Sequence, residues 1–437
     1  MKHKQWQPHK MTSNFQWKNN NTRWIVLVFM ALSFVLVSFQ IQSSTSIATQ
    51  VNVVDDSPPT TTMRSQHSTS SLPKKGGKET DAPGGSFSAC LIIMDDNHFL
   101  IEWLAYHWHV LPLRRLIVAV DPRSRYSPTP VLDRYRDRGL MEITEWTDTD
   151  FMMHPNFTKD VAFQYVQRQL EFYSKCTGQL RQEGRSWTLF TDSDEFVTPN
   201  HYAAPNLRVS NMTKTTNATT SLLLQLEQVQ QANVSRIMSS PCVVLPRLRF
   251  GTKESTAVEV QHSVPVPFSG MDFMSLRWRW RAKSAFGKTT NNRHNGMPKC
   301  MVNVQYVQDS MIQYDGSGKN PVDQLVNAHR PVMALCLEAD MRIMVRQATF
   351  VVHHYPGTLE QWTFRDDGRA WTRNPEAYQG LAKRARKLDD SIRPWLQDLV
   401  NVHGDELVHQ LLEGVGNVSS NSMAFDATTM GVEKKGH

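Results

Sequence analysis

The chain has 437 residues and a formal net charge of +7 at pH 7; hydrophobic residues make up 40% of it and aromatic residues 9%. This apolar content is enough to bury the core of one large globular domain or two small ones. The modest positive balance suits a protein that binds sugar phosphates. Nucleic acid is not an expected partner, because the sequence has no zinc-finger, basic-zipper or RNA-recognition pattern.

An uncharged apolar segment spans residues 24–41 and reads WIVLVFMALSFVLVSFQI. As a helix it is long enough to cross most of the hydrocarbon core of a membrane. Every charged residue before it is basic, so the positive-inside rule places residues 1–23 in the cytosol and the rest of the chain in the lumen. A cleaved signal peptide is the alternative, but its charged region would be unusually long. The sequence therefore predicts a single-pass type II protein of the Golgi or another secretory-pathway membrane.

Residues 42–86 are rich in Ser, Thr, Pro, Gly and Lys, and they cannot bury enough apolar area to order themselves. We predict that they form a disordered stem, which holds a lumenal domain away from the bilayer. Asn-x-Ser/Thr triplets after the anchor fit a lumenal location, and they begin at Asn156, Asn211, Asn217, Asn233 and Asn417.

The five cysteines are widely spaced, and none lies in a C-x-x-C pair, so a zinc ribbon is not predicted. In the lumen up to two disulfides can form, with one thiol left over. Five buried free thiols are the alternative. The sequence does not indicate which cysteines would pair.

From residue 87 the composition becomes that of a folded domain. Short apolar runs predict strands at 89–94, 116–120, 140–144 and 187–191. The spacing of apolar residues predicts helices at 99–110, 129–138 and 161–176. This alternation is typical of a doubly wound α/β sheet flanked by helices. We assign residues 87–372 to this domain, 373–416 to a C-terminal helical segment and 417–437 to a disordered tail.

Carboxylates follow several of the predicted strands directly. In a doubly wound sheet, ligands bind at the carboxyl ends of the strands. No Gly-rich phosphate loop follows the first strand, which disfavours a dinucleotide-binding domain. The carboxylates that we expect to converge on one rim of the sheet are Asp95, Asp96, Asp121, Asp192 and Asp194.

The turn Asp192-Ser193-Asp194 comes directly after the fourth predicted strand. Two carboxylates at i and i+2 on a tight turn can both reach one hard cation, and a bound diphosphate can supply further oxygen ligands. The cation would then neutralise charge on a leaving diphosphate. An ordinary surface turn is the alternative. The preceding apolar strand and the following Glu195-Phe196-Val197 favour the metal site.

A set of motifs in the same order resembles glycosyltransferase family 92. The motifs are Glu102-Trp103, Tyr106-His107, a strand ending at Asp121, WTLFTDSDEF at 187–196, and His353-His354-Tyr355 followed by Glu360-Gln361-Trp362. The resemblance covers roughly residues 88 to 370. It implies a GT-A fold with a mixed sheet, a nucleotide-sugar donor such as a UDP-sugar, a glycan acceptor and a divalent cation, usually Mn²⁺.

The resemblance also implies roles for particular residues. Asp194 would hold the metal, and Asp192 would hold the metal or the ribose. Asp121 would meet the base or ribose of the donor, and Asp96 and Glu102 are further donor-binding candidates.

Two late histidines, His353 and His354, are candidates to complete the metal shell. Adjacent residues on a strand point to opposite faces, so only one of them can face the metal. Two core histidines are the alternative.

The resemblance also implies transfer with inversion, which needs a general base near the acceptor hydroxyl. We rank Asp272 first because it lies just before the alternating segment Arg277-Trp-Arg-Trp-Arg281; Glu254 and Asp309 are the alternatives. As a strand, that segment would place its two tryptophans on one face and its three arginines on the other. It is either a platform for a sugar and a phosphate or a core strand with a solvated face.

The sequence thus predicts a metal-dependent transferase that moves a hexose, galactose among the candidates, from a nucleotide sugar to a glycan acceptor. The alternative is a catalytically inactive, membrane-anchored carbohydrate-binding protein of the same fold. A metal-dependent phosphodiesterase would need more His and Asp ligands around paired metals than the sequence offers.

Overall fold

The computed structural model describes nine stretches of the chain, which are 86–153, 161–208, 226, 240–261, 264–283, 295–314, 321–338, 340–364 and 373–416. The predicted cytosolic tail, the anchor at 24–41, the predicted stem up to residue 85 and the tail from 417 lie outside the described residues. Within the described part, no helix has the length and apolar character needed to cross a membrane.

Eleven strands belong to the described residues. They are β1 (Phe87–Ile93), β2 (Leu113–Val120), β3 (Glu142–Trp146), β4 (Trp187–Phe190), β5 (Glu195–Pro199), β6 (Cys242–Leu245), β7 (Arg247–Arg249), β8 (Trp280–Ala282), β9 (Lys299–Asn303), β10 (Phe350–His354) and β11 (Ala385–Leu388). The first four lie where apolar runs predict strands, with ends shifted by up to a few residues.

Six of these strands form a central mixed sheet in the order β3-β2-β1-β4-β9-β6. Strands β1 to β4 run parallel to one another, whereas β9 pairs antiparallel with both β4 and β6. The predicted α/β sheet is therefore confirmed in its mixed form. A smaller sheet, β5-β10-β7, begins directly after the acidic turn, and β8 pairs with β11.

Eleven α-helices belong to the described residues. They are α1 (Asn97–Val110), α2 (Thr129–Arg136), α3 (Asp148–Phe151), α4 (Val161–Gln182), α5 (Ala257–Gln261), α6 (Met274–Arg277), α7 (Val322–Leu325), α8 (Leu359–Phe364), α9 (Pro375–Arg384), α10 (Trp395–His403) and α11 (Asp405–Leu411). The helical segment expected at 373–416 holds α9, α10 and α11, interrupted by β11.

Helices cover both faces of the central sheet. Because side chains alternate along a strand, β1 sends Phe87, Ala89 and Leu91 into an apolar layer shared with α1 and α2. Its Cys90 and Ile92 enter the opposite layer, which is shared with α4. This burial on both faces explains why the first strands appear as continuous apolar runs.

Two disulfides join elements of this fold. Cys90 on β1 pairs with Cys176 on α4, and Cys242 on β6 pairs with Cys336. Cys300 is a buried free thiol. Of the two alternatives that the sequence leaves open, two disulfides with one thiol left over is confirmed. The alternative of five free thiols is wrong.

The alternating segment at 277–281 is not one strand, so the expected strand with tryptophans on one face and arginines on the other is wrong. Helix α6 ends at Arg277, and strand β8 begins only at Trp280. Its arginines are held by carboxylates: Arg279 contacts Asp390, and Arg281 contacts Asp389. Arg279 and Arg281 therefore form ion pairs with the C-terminal segment and are not part of a row of arginines that binds phosphate.

Candidate active site at the acidic turn

The acidic turn is the point where the chain leaves the central sheet for the smaller one. Strand β4 ends at Phe190, Asp192-Ser193-Asp194 follows, and β5 begins at Glu195. The turn is held from two sides, because Asp192 N donates to Glu195 Oε2 at 3.0 Å and Tyr355 N donates to the Asp194 carbonyl at 2.9 Å. Strand β10 pairs antiparallel with β5 and brings His354 opposite Glu195.

A cavity of about 300 Å³, here called the central cavity, opens beside this turn. Both carboxylates of the turn line it together with residues from distant parts of the chain. The lining residues are Tyr165, Gln169, Asp192, Asp194, Arg247, Arg249, Lys299, Ala328, His329, His354, Trp362 and Arg373. Four of these side chains are cationic, and they face two carboxylates, so the cavity suits an anionic ligand.

Asp192 has a cationic partner inside the protein. The Nζ atom of buried Lys299 lies 3.1 Å from Asp192 Oδ2 and 3.2 Å from Glu195 Oε2. Burial alone would lower the pKa of Lys299, but the two carboxylates outweigh burial and raise that pKa above its ordinary value. Glu195 also accepts from Arg247 at 3.0 Å. The first carboxylate of the turn therefore belongs to a buried ionic network.

Asp194 faces a histidine. Its Oδ2 atom lies 3.6 Å from Nε2 of His354, and both side chains line the central cavity. Burial lowers the pKa of His354, and the Asp194 carboxylate offsets this only in part. On its other side, His354 Nδ1 accepts from Arg249 Nε at 3.4 Å.

His353 lies on the opposite face of β10, as the alternation of a strand predicts. It is fully buried, with its ring 4.8 Å from that of Phe250 and its Nδ1 3.2 Å from the Tyr355 hydroxyl. Burial lowers the pKa of His353 to about 4. The structure thus brings one of the two candidate histidines to the central cavity and leaves the other in the core.

The donor set at the turn fits one divalent cation held by two protein side chains. Asp194 and His354 are close enough to share an ion, and they offer oxygen and nitrogen ligands of the kind that Mn²⁺ accepts. Asp192 does not belong to a compact cluster of three possible metal ligands. Among the residues that the structure describes, the one compact cluster of three His, Cys, Asp or Glu ligands is Cys242, Cys300 and Cys336.

A narrow crevice of about 20 Å³ continues from the central cavity to the ends of β1 and β2. Asp96 and Asp121 line it, and it shares Asp192 and Tyr165 with the central cavity. Asp96 accepts a bond from Met94 N at 3.0 Å. The predicted convergence of these three carboxylates on one rim is therefore confirmed.

Asp121 is held by two arginines. Arg123 contacts it at 2.9 Å and Arg168 of α4 at 3.2 Å. Burial alone would raise the pKa of Asp121, but its bonds to Arg123 and the charge of Arg168 outweigh burial and lower that pKa. Asp95, the other carboxylate after β1, turns away to contact Arg125 at 2.7 Å.

Glu102 does not reach the donor side, contrary to its predicted role. It is fully buried in the middle of α1, and its carboxylate accepts from Met274 N at 2.6 Å and Ser275 N at 3.0 Å. Glu102 thus caps the amino end of α6.

The predicted general base is also placed elsewhere. Asp272 is exposed on a short 3-10 helix, against Gly416 near the end of the described chain, and it is not among the residues lining the central cavity. The alternatives are likewise outside: Glu254 contacts Arg277, and exposed Asp309 contacts Arg181.

Most of the cationic residues that line the central cavity were not predicted from the sequence. No acidic motif marks the strands whose ends carry Lys299, Arg247 and Arg249. The fourth cation, Arg373, lies after the part of the chain that the resemblance covers. The alternation Arg247-Leu-Arg249 around one buried residue was the available signal. His329 also lines the cavity, whereas the neighbouring Arg330 donates to the Cys336 carbonyl at 2.7 Å.

Comparison with known proteins agrees with this geometry. The family model described as Glycosyltransferase family 92 matches residues 89–316, more than half of the chain. The matched range includes the acidic turn, Asp96, Asp121 and Lys299. No curated protein matched the chain.

Proposed function

Because the chain belongs to glycosyltransferase family 92, we propose that it transfers a hexose, with galactose the first candidate, from a UDP-sugar to a glycan acceptor at the central cavity. Membership of the family supports glycosyl transfer itself. The identity of the sugar, the acceptor and the metal dependence are our proposals, and the GT-A fold is carried over from the resemblance.

The observation that carries the proposal is the pairing of the acidic turn with a cationic wall. Arg247, Arg249, Lys299 and Arg373 line the cavity that Asp192 and Asp194 open into. A diphosphate is a compact polyanion, and guanidinium groups bind its oxygens with charge-assisted hydrogen bonds. Trp362 on the same wall offers an aromatic face to a base or sugar ring.

We assign Mn²⁺ to Asp194 and His354. When bound, it would supply Lewis-acid stabilisation of the charge that develops on the leaving diphosphate. Asp192 would act differently from the usual first carboxylate of such a turn, because Lys299 already neutralises it. Its role is then to position Lys299 and the turn, and to accept from a donor hydroxyl through its exposed oxygen; its side chain is 30% exposed.

Asp96 and Asp121 line the crevice next to Asp192 and would contact the ribose or base of the donor. Asp121, a buried carboxylate with two arginine partners, is a rigid acceptor, which suits recognition of ribose hydroxyls or an imide N–H. The two arginines on Asp121 keep it ionised and fix its orientation.

Our proposal for the cellular location of the protein rests on residues 24–41. We propose a type II signal anchor in the Golgi or another secretory-pathway membrane, with the family 92 domain in the lumen. The two disulfides of the described domain agree with an oxidising compartment.

Donor hydrolysis by the full-length chain in detergent tests the function. A panel of UDP-galactose, UDP-glucose and UDP-N-acetylglucosamine is incubated with Mn²⁺ or with a chelator. The variants are Asp194→Ala and His354→Ala, and Asp137→Ala is the matched control because Asp137 is exposed at the end of α2, far along the chain from the turn. We expect UDP release from one donor, lost with the chelator and in both cavity variants but kept in the control.

A thermal shift with UDP and Mn²⁺ separates the alternatives. Stabilisation by UDP without turnover on any donor or added glycan would favour the inactive carbohydrate-binding protein. If the chain shows no turnover and UDP causes no thermal shift, the assignment of the central cavity is overturned. Turnover that survives the chelator would overturn the metal assignment and leave the transferase standing.

A further inference from the structure

A second cavity, of about 250 Å³, shares none of its lining residues with the central cavity. It lies between helix α4, the end of β3 with α3, and the segment that leads to α7. Its lining residues are Trp146, Asp150, Phe151, Met153, Glu171, Ser174, Lys175, Gly178, Gln179, Gln182, Gln313, Tyr314 and Val322.

The walls of this second cavity are tied together covalently and by hydrogen bonds. The Cys90–Cys176 disulfide fixes α4 to the central sheet. The hydroxyl of Ser174 donates to the Ile312 carbonyl, and Arg181 donates to the Val307 carbonyl at 2.9 Å. The cavity is therefore preformed, and a ligand would bind without ordering these walls.

The lining combines aromatic rings with amides. Trp146 and Tyr314 are partly exposed and provide ring surface, whereas Phe151 is 1% exposed and supports the wall from behind. The side chains of Gln179, Gln182 and Gln313 provide amide donors and acceptors. Aromatic rings pack against the C–H faces of a sugar ring, and amides bond its hydroxyl groups.

The charges of the lining argue against an anionic ligand. Lys175 is its one cation, and it stands beside the carboxylates of Asp150 and Glu171. Both carboxylates already accept bonds from the protein, Asp150 from Thr147 and Glu171 from Met153 N. A nucleotide or phosphate would meet net negative charge here, in contrast to the four cations of the central cavity.

We propose that the second cavity binds a hexose unit of a neutral glycan and is a non-catalytic carbohydrate site. One end of it is near the rim that carries the crevice, because Trp146 ends β3 and Asp121, which lines the crevice, follows the neighbouring parallel strand β2. Arg168 of α4 contacts both Asp121 and Asp148, the first residue of α3. That this site holds a distant residue of the acceptor rests on the proposed function, and two-point binding would raise the local acceptor concentration.

Saturation-transfer difference NMR on the full-length chain tests the site. The probes are lactose, cellobiose and maltose at millimolar concentration, in a detergent without a sugar headgroup. Saturating UDP and Mg²⁺, a diamagnetic substitute for Mn²⁺, are present throughout to occupy the donor side of the central cavity. We expect transfer to the ring protons of at least one disaccharide.

Two variants and a matched control locate the signal. Gly178→Leu fills the second cavity from α4, where a Cβ would meet nothing closer than Ile312 Cδ1 at 3.6 Å. Tyr314→Ala removes a ring from the opposite wall, and Tyr306→Ala removes a 63% exposed tyrosine of the same segment outside the cavity. We expect binding to weaken by about tenfold or more in the first two variants, roughly 1.4 kcal/mol or more, and to stay unchanged in the control.

The outcomes separate this site from the proposed function. No signal from any of the three disaccharides, or equal binding by Gly178→Leu and the unaltered chain, would overturn the second site. A signal that appears only when UDP and Mg²⁺ are omitted would place the sugar in the central cavity, which also overturns it. Failure of donor turnover would leave the second site standing, because the NMR measurement needs no catalysis.

Discussion

The carboxylate of Glu102 accepts hydrogen bonds from the backbone N–H groups of Met274 and Ser275, across 172 residues of chain. A short helix cannot satisfy its first N–H groups by itself, so a buried acceptor at its amino end stabilises it. The bond therefore joins the middle of α1 to the start of α6. A residue that the sequence suggested for donor binding is in this structure a buried link between two layers.

Glu102→Ala should destabilise the fold by about 2–4 kcal/mol, because two buried N–H groups lose their acceptor. Urea denaturation of the full-length chain measures the loss, and Glu338→Ala, which removes an 80% exposed glutamate side chain, is the matched control. The KM for the donor should not change at temperatures where the variant is folded. A raised KM with unchanged stability would restore the donor-binding role.

Glu183→Gln should weaken the acid dependence of stability. Arg115 holds Glu183 with two bonds, at 2.8 and 2.7 Å. Burial alone would raise the pKa of Glu183, but these bonds and the nearby positive charges outweigh it and lower that pKa below its ordinary value of 4.5. A lowered folded-state pKa means that the stabilisation is present above about pH 4.5 and is lost as the pH falls below it.

The measurement for Glu183 is the urea midpoint at several pH values between neutral pH and pH 3, compared with Glu406→Gln, an exposed glutamate at the start of α11. We expect the unaltered chain and the control to lose stability in parallel on acidification. Glu183→Gln should start lower and fall less steeply. Parallel curves for all three proteins would show that the Arg115 pair contributes no pH dependence.

Gly251→Ala should destabilise the chain by about 1–3 kcal/mol, because a methyl group would overpack the contact with α9. A Cβ at this position would lie 2.4 Å from Ala385 Cβ and 2.6 Å from the Leu381 carbonyl oxygen. Gly380→Ala is the matched control on α9, where a Cβ meets nothing within 4 Å. It should stabilise the helix by roughly 0.5–1 kcal/mol. Thermal unfolding distinguishes the two, and shifts of the same sign would contradict the close approach.

Lys299→Met should cost about 3 kcal/mol of folding free energy, because Asp192 and Glu195 would lose a buried cation. Adding Asp192→Asn to this variant should recover part of the loss, since it removes one of the carboxylates left behind. A double-mutant cycle by urea denaturation measures the coupling between the two side chains. Additive effects would show that Asp192 does not depend on Lys299, and Asp192 would then be available as a metal ligand.

The anchor predicts a chain that stays with membranes after alkaline carbonate extraction and whose mass falls after glycosidase treatment. A version that lacks residues 1–41 should lose both properties, because it would not enter the secretory pathway. Replacement of residues 1–41 by a cleavable signal peptide is the control, and it should restore the glycans but release the protein. A fully soluble, unglycosylated full-length chain would contradict the type II topology.

The pattern of the sequence was sufficient for the four parallel strands of the central sheet but not for β9 and β6, which pair antiparallel beside them. Strand β1 with its flanking α1 could be predicted because burial on both faces demands a continuous apolar run, and burial on one helix face demands apolar residues at helical spacing. The same pattern placed Asp96, Asp121 and Asp192 at strand ends, and parallel strands then bring such ends to one rim. These are local rules, so the sequence by itself determined the parallel part of the sheet and the position of the acidic turn at its rim.

The tertiary structure alone decided what surrounds the turn. His354 and not His353 faces Asp194, because the register of β10 on β5 selects the face. Lys299 neutralises Asp192 across 107 residues of chain, and Glu102 is a cap because α6 begins beside it. Electrostatic and hydrogen-bond partners depend on distances through space, and no spacing along the chain encodes a distance between segments that meet only when the sheet has folded.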